Sequence, residues 1–254
     1  MIRRRMLAGG FSILFWVAGV MPGWSYDFTA WDALLKKYVR PTTLAGVRLN
    51  GVDYPSLAKD PRYGLVVSGL ENFSAASLQT REEKLAFWIN VYNVLAVKMV
   101  LDNYPLDSIK DAGGVFTSVW KKKAGVVGGR SVTLNEIEHE ILRQMGDPRI
   151  HAAIVCASVS CPDLRREAYT PQTLDRQLDD QLRRFLQNPG KGLRVEGATL
   201  YLSSIFKWFA EDFEAQGGVR KFLARYAPGL AKQRLAAGDL ELAYLDYNWD
   251  LNKI

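Results

Sequence analysis

The histidines and cysteines of this 254-residue chain are few and lie close together in the sequence. Its two histidines, His139 and His151, and its two cysteines, Cys156 and Cys161, all fall between positions 139 and 161. A thiolate is a strong nucleophile, and an imidazole can take up the thiol proton because histidine changes charge near neutral pH. The cluster therefore predicts a thiol-dependent hydrolase or acyltransferase, with Cys156 as the nucleophile and His151 or His139 as its base.

Three other interpretations of this cluster are open at the level of sequence. Cys156 and Cys161 can form a disulfide in an oxidising compartment, although so short a loop gains little from cross-linking. Thiols and imidazoles also bind Zn²⁺, but Cys-x4-Cys preceded by histidines is not a common zinc spacing. Zinc is therefore not favoured, and we predict no cofactor and no metal ligands. In the third interpretation the cluster is structural, and the protein is a non-catalytic binding or scaffold module of the cell envelope.

A long helix is the most clearly predicted element, and it brings three polar residues to one face. Thr80 and Glu83 form a capping box, in which each side chain satisfies a backbone N–H of the other residue. The nearly continuous apolar run up to Pro105 predicts a helix buried on all sides. Asn90 and Asn93 lie on the same face as Glu83. We predict that the two amides orient the catalytic histidine, as amides do in papain-like sites, and that Glu83 contributes to binding. The alternative is that the amides tie down neighbouring loops.

The rest of the pattern is typical of short elements around that central helix. Asn50-Gly51 predicts a hairpin turn, and residues 150–156 are interpreted as a short buried strand. Apolar spacing and turn residues predict helices over 28–38, 55–69, 134–145, 171–188, 203–213 and 219–226, strands over 115–120, 126–132 and 240–245, and a hairpin over 193–202. Because hairpins rather than βαβ units connect the strands, we predict a single α+β domain with a long buried central helix, short antiparallel strands and several amphipathic helices.

Several blocks of the sequence resemble those of a known family. The blocks cover residues 84–93, 137–143, 147–156, 160–165, 202–213 and 247–252. Together they make the chain similar to the family catalogued as domain of unknown function 547. The resemblance implies no established reaction.

The resemblance also bears on single residues. In that family the first cysteine is usually followed by glycine and the second can be replaced by serine, which favours Cys156 as the key thiol over an essential disulfide. Here Ala157 follows Cys156, which calls a glycine-dependent turn into question. Asn248 stands where the family usually has aspartate, so an amide would act in its place if that acid orients a histidine. From these blocks we take as candidate binding residues, for an unknown small-molecule or peptide-like ligand, Ser160, Cys161, Arg165 and Trp249.

The first residues of the chain predict export. Arg3-Arg4-Arg5 precede an apolar run over residues 6–21, and Gly23 and Ser25 supply the small residues of a cleavage site before Tyr26. This run is shorter than the ~20 apolar residues that cross a bilayer. We therefore predict a cleaved signal peptide at 1–25, a single domain at 26–254, and a periplasmic or secreted protein with no stable membrane span after cleavage. The arginines followed by Met-Leu also resemble a twin-arginine signal.

The charge balance argues against nucleic acid as a partner. The formal net charge is +6, from 33 Lys and Arg against 27 Asp and Glu. Without the three arginines of the signal peptide, 30 basic residues face 27 acidic ones. Because nucleic-acid binding needs basic residues clustered on one face, we predict no nucleic-acid partner.

Overall fold

The computed structural model describes residues 26–114, 117–238 and 240–254, so the predicted signal peptide at 1–25 lies outside the described residues. The helices are α1 (Thr29–Tyr38), α2 (Tyr54–Ala58), α3 (Pro61–Asn72), α4 (Arg81–Asn103), α5 (Ile150–Ala153), α6 (Leu174–Leu186), α7 (Ile205–Trp208), α8 (Gly218–Leu223) and α9 (Gly229–Ala237). A π-helix spans Glu136–Leu142, and 3-10 segments span Ala75–Ser77, Ile109–Ala112, Val119–Lys121, Arg143–Met145 and Ala210–Gln216. The strands are β1 (Val39–Leu44), β2 (Val47–Val52), β3 (Lys123–Val127), β4 (Arg130–Thr133), β5 (Leu193–Glu196), β6 (Thr199–Leu202) and β7 (Glu241–Tyr244).

The long helix α4 forms the centre of the fold, as predicted. It begins at the capping box, where Glu83 N–H donates to Thr80 Oγ1 over 3.1 Å and Thr80 N–H donates to Glu83 Oε2 over 3.0 Å. By length and composition α4 could cross a membrane, but most of its apolar stretch is buried inside the protein, and a core helix meets the same criterion. The α+β class and the long buried helix are therefore confirmed.

Two hydrophobic clusters make up the core. The larger one surrounds α4 and includes side chains of α1, α3 and the π-helix. The smaller one is formed by the end of α6, by strands β5 and β6, and by α7, α8 and α9. On the four-residue helix α5, Ile150 and Ala153 belong to the larger cluster and Ala152 to the smaller. Helix α5 therefore lies where the two clusters meet, and it carries His151.

Three small sheets and the C-terminal segment frame this junction. β1 with β2, β3 with β4, and β5 with β6 are antiparallel pairs, whereas β7 joins β6 in parallel. After β7 the chain returns to the larger cluster, where Leu251 pairs with Ser158 and Tyr54 Oη donates to Asn252 Oδ1 over 2.7 Å. Asn252 N–H donates to the carbonyl of Ala157. The C-terminal segment therefore holds the loop that carries Cys156.

The predicted hairpin turn at Asn50-Gly51 is wrong. Both residues lie inside β2, where Asn50 pairs with Pro41, and the chain turns instead at Ala45 and Gly46, both with positive φ. Gly51 serves close packing, because a Cβ there would lie 2.5 Å from a side-chain carbon of Ile254.

The predicted strand over 150–156 is also wrong. Residues Ile150–Ala153 form one helical turn, closed by the Ile154 N–H that donates to the carbonyl of Ile150 over 2.9 Å. A short apolar run suits a buried strand and a buried helix equally well, so periodicity could not separate the two. The remainder up to Cys156 is extended but pairs with no strand among the described residues.

The predicted pairing of strands over 115–120 and 126–132 is wrong. The hairpin that forms pairs β3 with β4, and its turn at Gly128 and Gly129, both with positive φ, falls inside the predicted second strand. Residues 119–121 form a 3-10 turn instead of a strand, and residues 115–116 lie outside the described ranges. Pro61 begins a new helix, so the helix predicted over 55–69 is two helices. The helix over 134–145 is π-helical in its centre, and the helix over 203–213 is α7 followed by a 3-10 segment.

Candidate active site

A pocket of about 420 Å³ lies at the junction of the two clusters. The C-terminal segment, the π-helix, α5 and α7 all contribute to its walls. Its lining includes the sequence-predicted residues His139, His151, Cys156, Cys161 and Trp249, and in addition Tyr92, Trp120, Glu138, Trp208, Phe209 and Tyr247. The structure therefore brings both histidines and both cysteines to one pocket.

Helix α4 and the C-terminal segment fix the loop that presents Cys156. Asn93 Nδ2–H donates to the carbonyl of Ala153 over 3.0 Å, and its Oδ1 accepts from Val155 N–H over 2.9 Å. Ala157 has φ +59°, so an alanine adopts the left-handed conformation that a glycine would favour. The turn is therefore kept in this chain without the glycine, at a cost of about 1–2 kcal/mol in backbone strain.

The Cys156 thiol lies among hydrogen-bonding groups. Its Sγ is 3.3 Å from Ser158 Oγ and 3.3 Å from Tyr247 Oη, and its backbone N–H donates to Cys161 Sγ over 2.9 Å. A hydrogen bond with Cys161 and further ones with Ser158 and Tyr247 lower the pKa of the Cys156 thiol, although burial alone would raise it. Burial raises the pKa of Cys161. Both cysteines are free. Because the pKa of Cys156 is lowered and that of Cys161 is raised, Cys156 is the more acidic thiol of the two.

His151 is held by an acidic residue of the 3-10 segment Ala210–Gln216. Its Nε2 lies 2.6 Å from Asp212 Oδ2, and its ring stacks on Phe209 with centroids 4.1 Å apart. Arg143 donates to both carboxylate oxygens of Asp212 over 2.7 Å. Burial of Asp212 would raise its pKa, but the hydrogen bonds from His151 and Arg143 outweigh burial and hold the pKa below its usual range. Burial lowers the pKa of His151, and Asp212 offsets this only in part.

These hydrogen bonds assign the tautomers of both histidines. Ionised Asp212 only accepts hydrogen bonds, so His151 Nε2 carries the proton and Nδ1 keeps its lone pair. Arg143 only donates, so His139 Nδ1, 2.8 Å from Arg143 Nη1, is the acceptor. Neutral His139 therefore carries its proton on Nε2. Burial, followed by the charge of Arg143, lowers the pKa of His139 and favours this neutral form. His151 can act as a base through Nδ1, and His139 as a donor through Nε2.

Asn90 and Asn93 do not contact either histidine in the structure. Asn90 Nδ2–H donates to the carbonyl of Tyr169, and its Oδ1 accepts from Tyr169 N–H, so this amide holds a second loop as Asn93 holds the first. Both amides tie down loops, which was the alternative to orienting the histidine. A buried amide on α4 pairs more readily with irregular backbone that has no other partner. Asp212 orients His151 instead, and the Oδ1 of Asn248 accepts from Asp250 N–H.

Three of the candidate binding residues lie away from this pocket. Glu83 is engaged in the capping box, and Arg165 forms ion pairs with Glu167 and Asp180. Ser160 Oγ accepts from the backbone N–H of Asn248, so its role is to hold the C-terminal segment. Glu83 and Arg165 line two other pockets, and a role of these three residues in binding stays a prediction.

Aromatic rings form the rim of the pocket. Trp208 is 48% exposed and stacks on Trp249, with centroids 5.9 Å apart and planes inclined by 17°. Tyr247 packs against both rings at 4.9 and 4.5 Å, and Trp120 meets Trp249 edge-on. The Lys110 ammonium lies 3.7 Å from the Trp249 ring centroid. A ligand entering the pocket would therefore pass a largely apolar surface.

No cation site accompanies these residues. Within 26–114, 117–238 and 240–254, no group of three or more His, Cys, Asp or Glu side chains is arranged to hold a metal ion. His151 Nε2 contacts Asp212 and His139 Nδ1 contacts Arg143, so these two nitrogens do not face the thiols.

Glu138 is a pocket residue that the sequence analysis did not single out. It is buried on the π-helix next to His139, and Tyr92 Oη–H donates to its Oε2 over 3.3 Å. Burial raises the pKa of Glu138 to about 7, and the hydrogen bond from Tyr92 offsets only part of that rise. Glu138, Asp212 and Tyr247 all stand in the blocks that carry the family resemblance, and that was the one signal that pointed to them.

Comparison with protein families bears directly on this pocket. The family model described as protein of unknown function, DUF547, matches residues 76–186. The chain resembles this family. The DUF547 segment, residues 76–186, contains α4, the π-helix, α5 and both cysteines, whereas Asp212, Tyr247 and Trp249 lie beyond it. No curated protein and no solved structure matches the chain. The DUF547 segment thus supplies the thiol, both histidines, Arg143 and Ser158, and the rest of the chain supplies Asp212 and Tyr247.

Proposed function

We propose that the protein is a thiol-dependent hydrolase or acyltransferase in which Cys156 is the nucleophile and His151 is its base. The observation that carries this proposal is the position of the more acidic thiol. Cys156 lies among hydrogen-bonding groups in the same pocket as a histidine that Asp212 fixes in one tautomer. A nucleophile, a base and a group that orients the base are the three parts of such a site.

The chemistry follows from these roles. The Cys156 thiolate would attack the carbonyl carbon of an acyl donor, and the bond to the leaving group would break to give a thioester. Water, or an acceptor alcohol or amine, would then attack the thioester carbon and release the thiolate. His151 Nδ1 accepts the thiol proton at the start. The hydrogen-bonding partners described for the Cys156 sulfur are Ser158 and Tyr247, and neither histidine of the described residues is among them. Catalytic hydrogen bonds often tighten only when substrate is bound.

A second candidate is a non-catalytic binding module of the cell envelope. The aromatic rim favours it, because stacked and partly exposed tryptophans bind ligands without any chemistry. Under this alternative the Cys156 thiol is an inert part of the wall.

Alkylation kinetics distinguish the two candidates. Iodoacetamide should modify Cys156 at least about tenfold faster than Cys161 at neutral pH, because the thiolate is the reacting form and hydrogen bonds favour it at Cys156. The rate should rise with pH around a midpoint below the ~8.5 of a free thiol. Tyr247→Phe should move this midpoint upward by removing one hydrogen bond to the sulfur, and Tyr244→Phe on β7 serves as the matched control. Peptide mass spectrometry reads the two sites separately.

Three other outcomes of the alkylation experiment would each identify a different state of the two cysteines. Equal and slow modification of both cysteines in a reduced, metal-free sample contradicts the catalytic proposal and supports the binding module. Labelling that requires reductant, with an intact mass lower by two hydrogens, identifies a disulfide. Labelling that requires a chelator identifies bound zinc.

We also propose that the protein is exported to the periplasm or beyond. The basic, apolar and small-residue order of residues 1–25 supports this location. Protein purified from its native host should begin near Tyr26, and residues 1–30 fused to a reporter should export it. Edman or mass analysis of the N-terminus is the measurement. Membrane-bound protein that retains Met1 would show an anchor instead.

A further inference from the structure

The carboxyl group of Glu138 is buried, yet one of its oxygens is open to the pocket. Oε2 accepts the hydrogen bond from Tyr92, whereas Oε1 has no hydrogen-bond partner among the described residues. Oε1 is not one of the unpaired side-chain atoms that are fully buried among the described residues, so it keeps contact with solvent. Because Glu138 lines the pocket, Oε1 is available to a molecule bound there. A buried carboxyl that keeps one oxygen for a ligand is unusual, since such groups are normally fully paired.

The π-helix explains how Glu138 and His139 reach the same pocket. In an α-helix, neighbouring residues point about 100° apart, and a π-helical turn, which has more residues per turn, makes this angle smaller. Hydrogen bonds to the fifth residue widen the turn over Glu136–Leu142, and both Glu138 and His139 line the pocket. π-helical turns are rare and are found mostly at functional sites.

The charges around Glu138 set when it ionises. Groups on five other elements act on it or share its pocket. These are Tyr92 on α4, His151 on α5, Cys156 and Cys161 on the loop, Asp212 on the 3-10 segment and Tyr247 on the C-terminal segment; Arg143 and His139 follow Glu138 on its own helical stretch. Burial disfavours the carboxylate most, and the negative charges of Cys156 and Asp212 disfavour it further. Tyr92 and Arg143 favour the carboxylate but do not outweigh burial. Glu138 is thus a proton donor at mildly acidic pH and can become an acceptor near neutrality.

We propose that Glu138 is the acid–base residue that protonates the leaving group and then activates the attacking water, a role that rests on the proposed thiol mechanism. When the Cys156 sulfur bonds to the carbonyl carbon and the bond to the leaving group breaks, the Glu138 proton passes from its carboxyl to the leaving atom. The Glu138 carboxylate next removes a proton from water as the water oxygen bonds to the thioester carbon. The carbon–sulfur bond breaks and Cys156 leaves as thiolate. The net result is that one molecule of water is consumed and the acyl bond of the substrate is hydrolysed. His151 handles only the thiol proton.

Two alkylating probes of similar size test this assignment in the full chain. Iodoacetamide is neutral and iodoacetate is anionic, and both react with the Cys156 thiolate. As the pH rises through about 7, the ratio of the iodoacetate rate to the iodoacetamide rate should fall by about tenfold, because ionised Glu138 repels the anionic probe. In Glu138→Gln the ratio should not depend on pH. His139 and His151 remain in this variant, but burial lowers the pKa of both, so their titration lies below this range and does not produce the fall.

A matched control and a second measurement complete the design. Glu140→Gln removes the same charge from an exposed position on the same helix and should keep the wild-type fall in the ratio. A fall that persists in Glu138→Gln overturns the role of Glu138 alone. Failure of both probes to modify Cys156 overturns the thiol mechanism together with that role. If Glu138→Gln does not fold, infrared difference spectra of the wild-type protein should show one protonated carboxyl band lost between about pH 6 and 8, and its absence overturns the proposal.

Discussion

Replacing Asn93 by leucine is expected to lower the free energy of unfolding by about 2–6 kcal/mol, because it strands two buried backbone groups that cost about 1–3 kcal/mol each. These groups are the Ala153 carbonyl and the Val155 N–H, and leucine has nearly the shape of asparagine but can pair with neither. The loss is a large part of the roughly 5–15 kcal/mol that stabilises a typical domain. The urea midpoint of unfolding measures it, and the selectivity of Cys156 alkylation should fall in parallel because the loop loosens.

Two variants of the same helix serve as controls. Asn103→Leu makes the same substitution at an exposed position near the end of α4 and should change stability by less than about 1 kcal/mol. Asn90→Leu should destabilise as much as Asn93→Leu but leave Cys156 selective, because Asn90 holds the backbone at Tyr169. A stability of Asn93→Leu within about 1 kcal/mol of wild type would contradict the bonding described here.

Under the proposed thiol mechanism, replacing Asp212 by asparagine is expected to slow ester hydrolysis at Cys156 by at least about 100-fold, within the range that a positioned general base contributes. The variant no longer holds the proton on His151 Nε2, and it leaves Arg143 without its carboxylate partner. The release of p-nitrophenol from p-nitrophenyl acetate measures the rate. ¹⁵N NMR of the His151 imidazole distinguishes loss of the tautomer from general damage, because wild type should show Nδ1 unprotonated and the variant a mixture.

Acid unfolding tests the same carboxylate independently of catalysis. The pKa of Asp212 is lower in the folded than in the unfolded chain, so its contribution to stability is present above the unfolded value of about 3.9 and is lost as pH falls through the folded value. Stability should therefore decline less steeply below about pH 4 in Asp212→Asn than in wild type. Asp175→Asn is the control, since Asp175 pairs with an arginine too, Arg149, but its side chain is 87% exposed. Identical acid profiles for wild type and Asp212→Asn would contradict the assignment of its pKa.

The accuracy of the sequence-based predictions depended on the range of the interactions involved. Helix α4 was predictable because a capping box and a long apolar run lie within the helix itself. The helical turn α5 was not predictable, because it ends at Ala153, whose carbonyl accepts a hydrogen bond from Asn93, 60 residues earlier in the chain. An apolar run of that length carries no local signal to separate strand from helix.

The residues of the candidate site also differ in how far they could be predicted from the sequence. His139, His151, Cys156 and Cys161 are scarce residue types close together in sequence, so their cluster was visible without a structure. Asp212 lies 61 residues from His151, and Tyr247 lies 91 residues from Cys156, so these pairs arise only from tertiary packing. Glu138 escaped notice for another reason. A glutamate on a helix is usually solvated, and only the π-helical turn directs this one into the pocket.

The docking of the C-terminal segment also sets the order in which the thiol acquires its properties during biosynthesis. A ribosome releases Cys156 well before Tyr247, which follows 91 residues later and contacts the sulfur. The backbone of Asn252, which holds Ala157, emerges later still. A nascent chain therefore carries Cys156 without its tyrosine partner and without its fixed loop. We expect its thiol to react in that interval like that of an ordinary cysteine, and to acquire its lowered pKa only after the segment from 247 to 252 has folded back onto the loop.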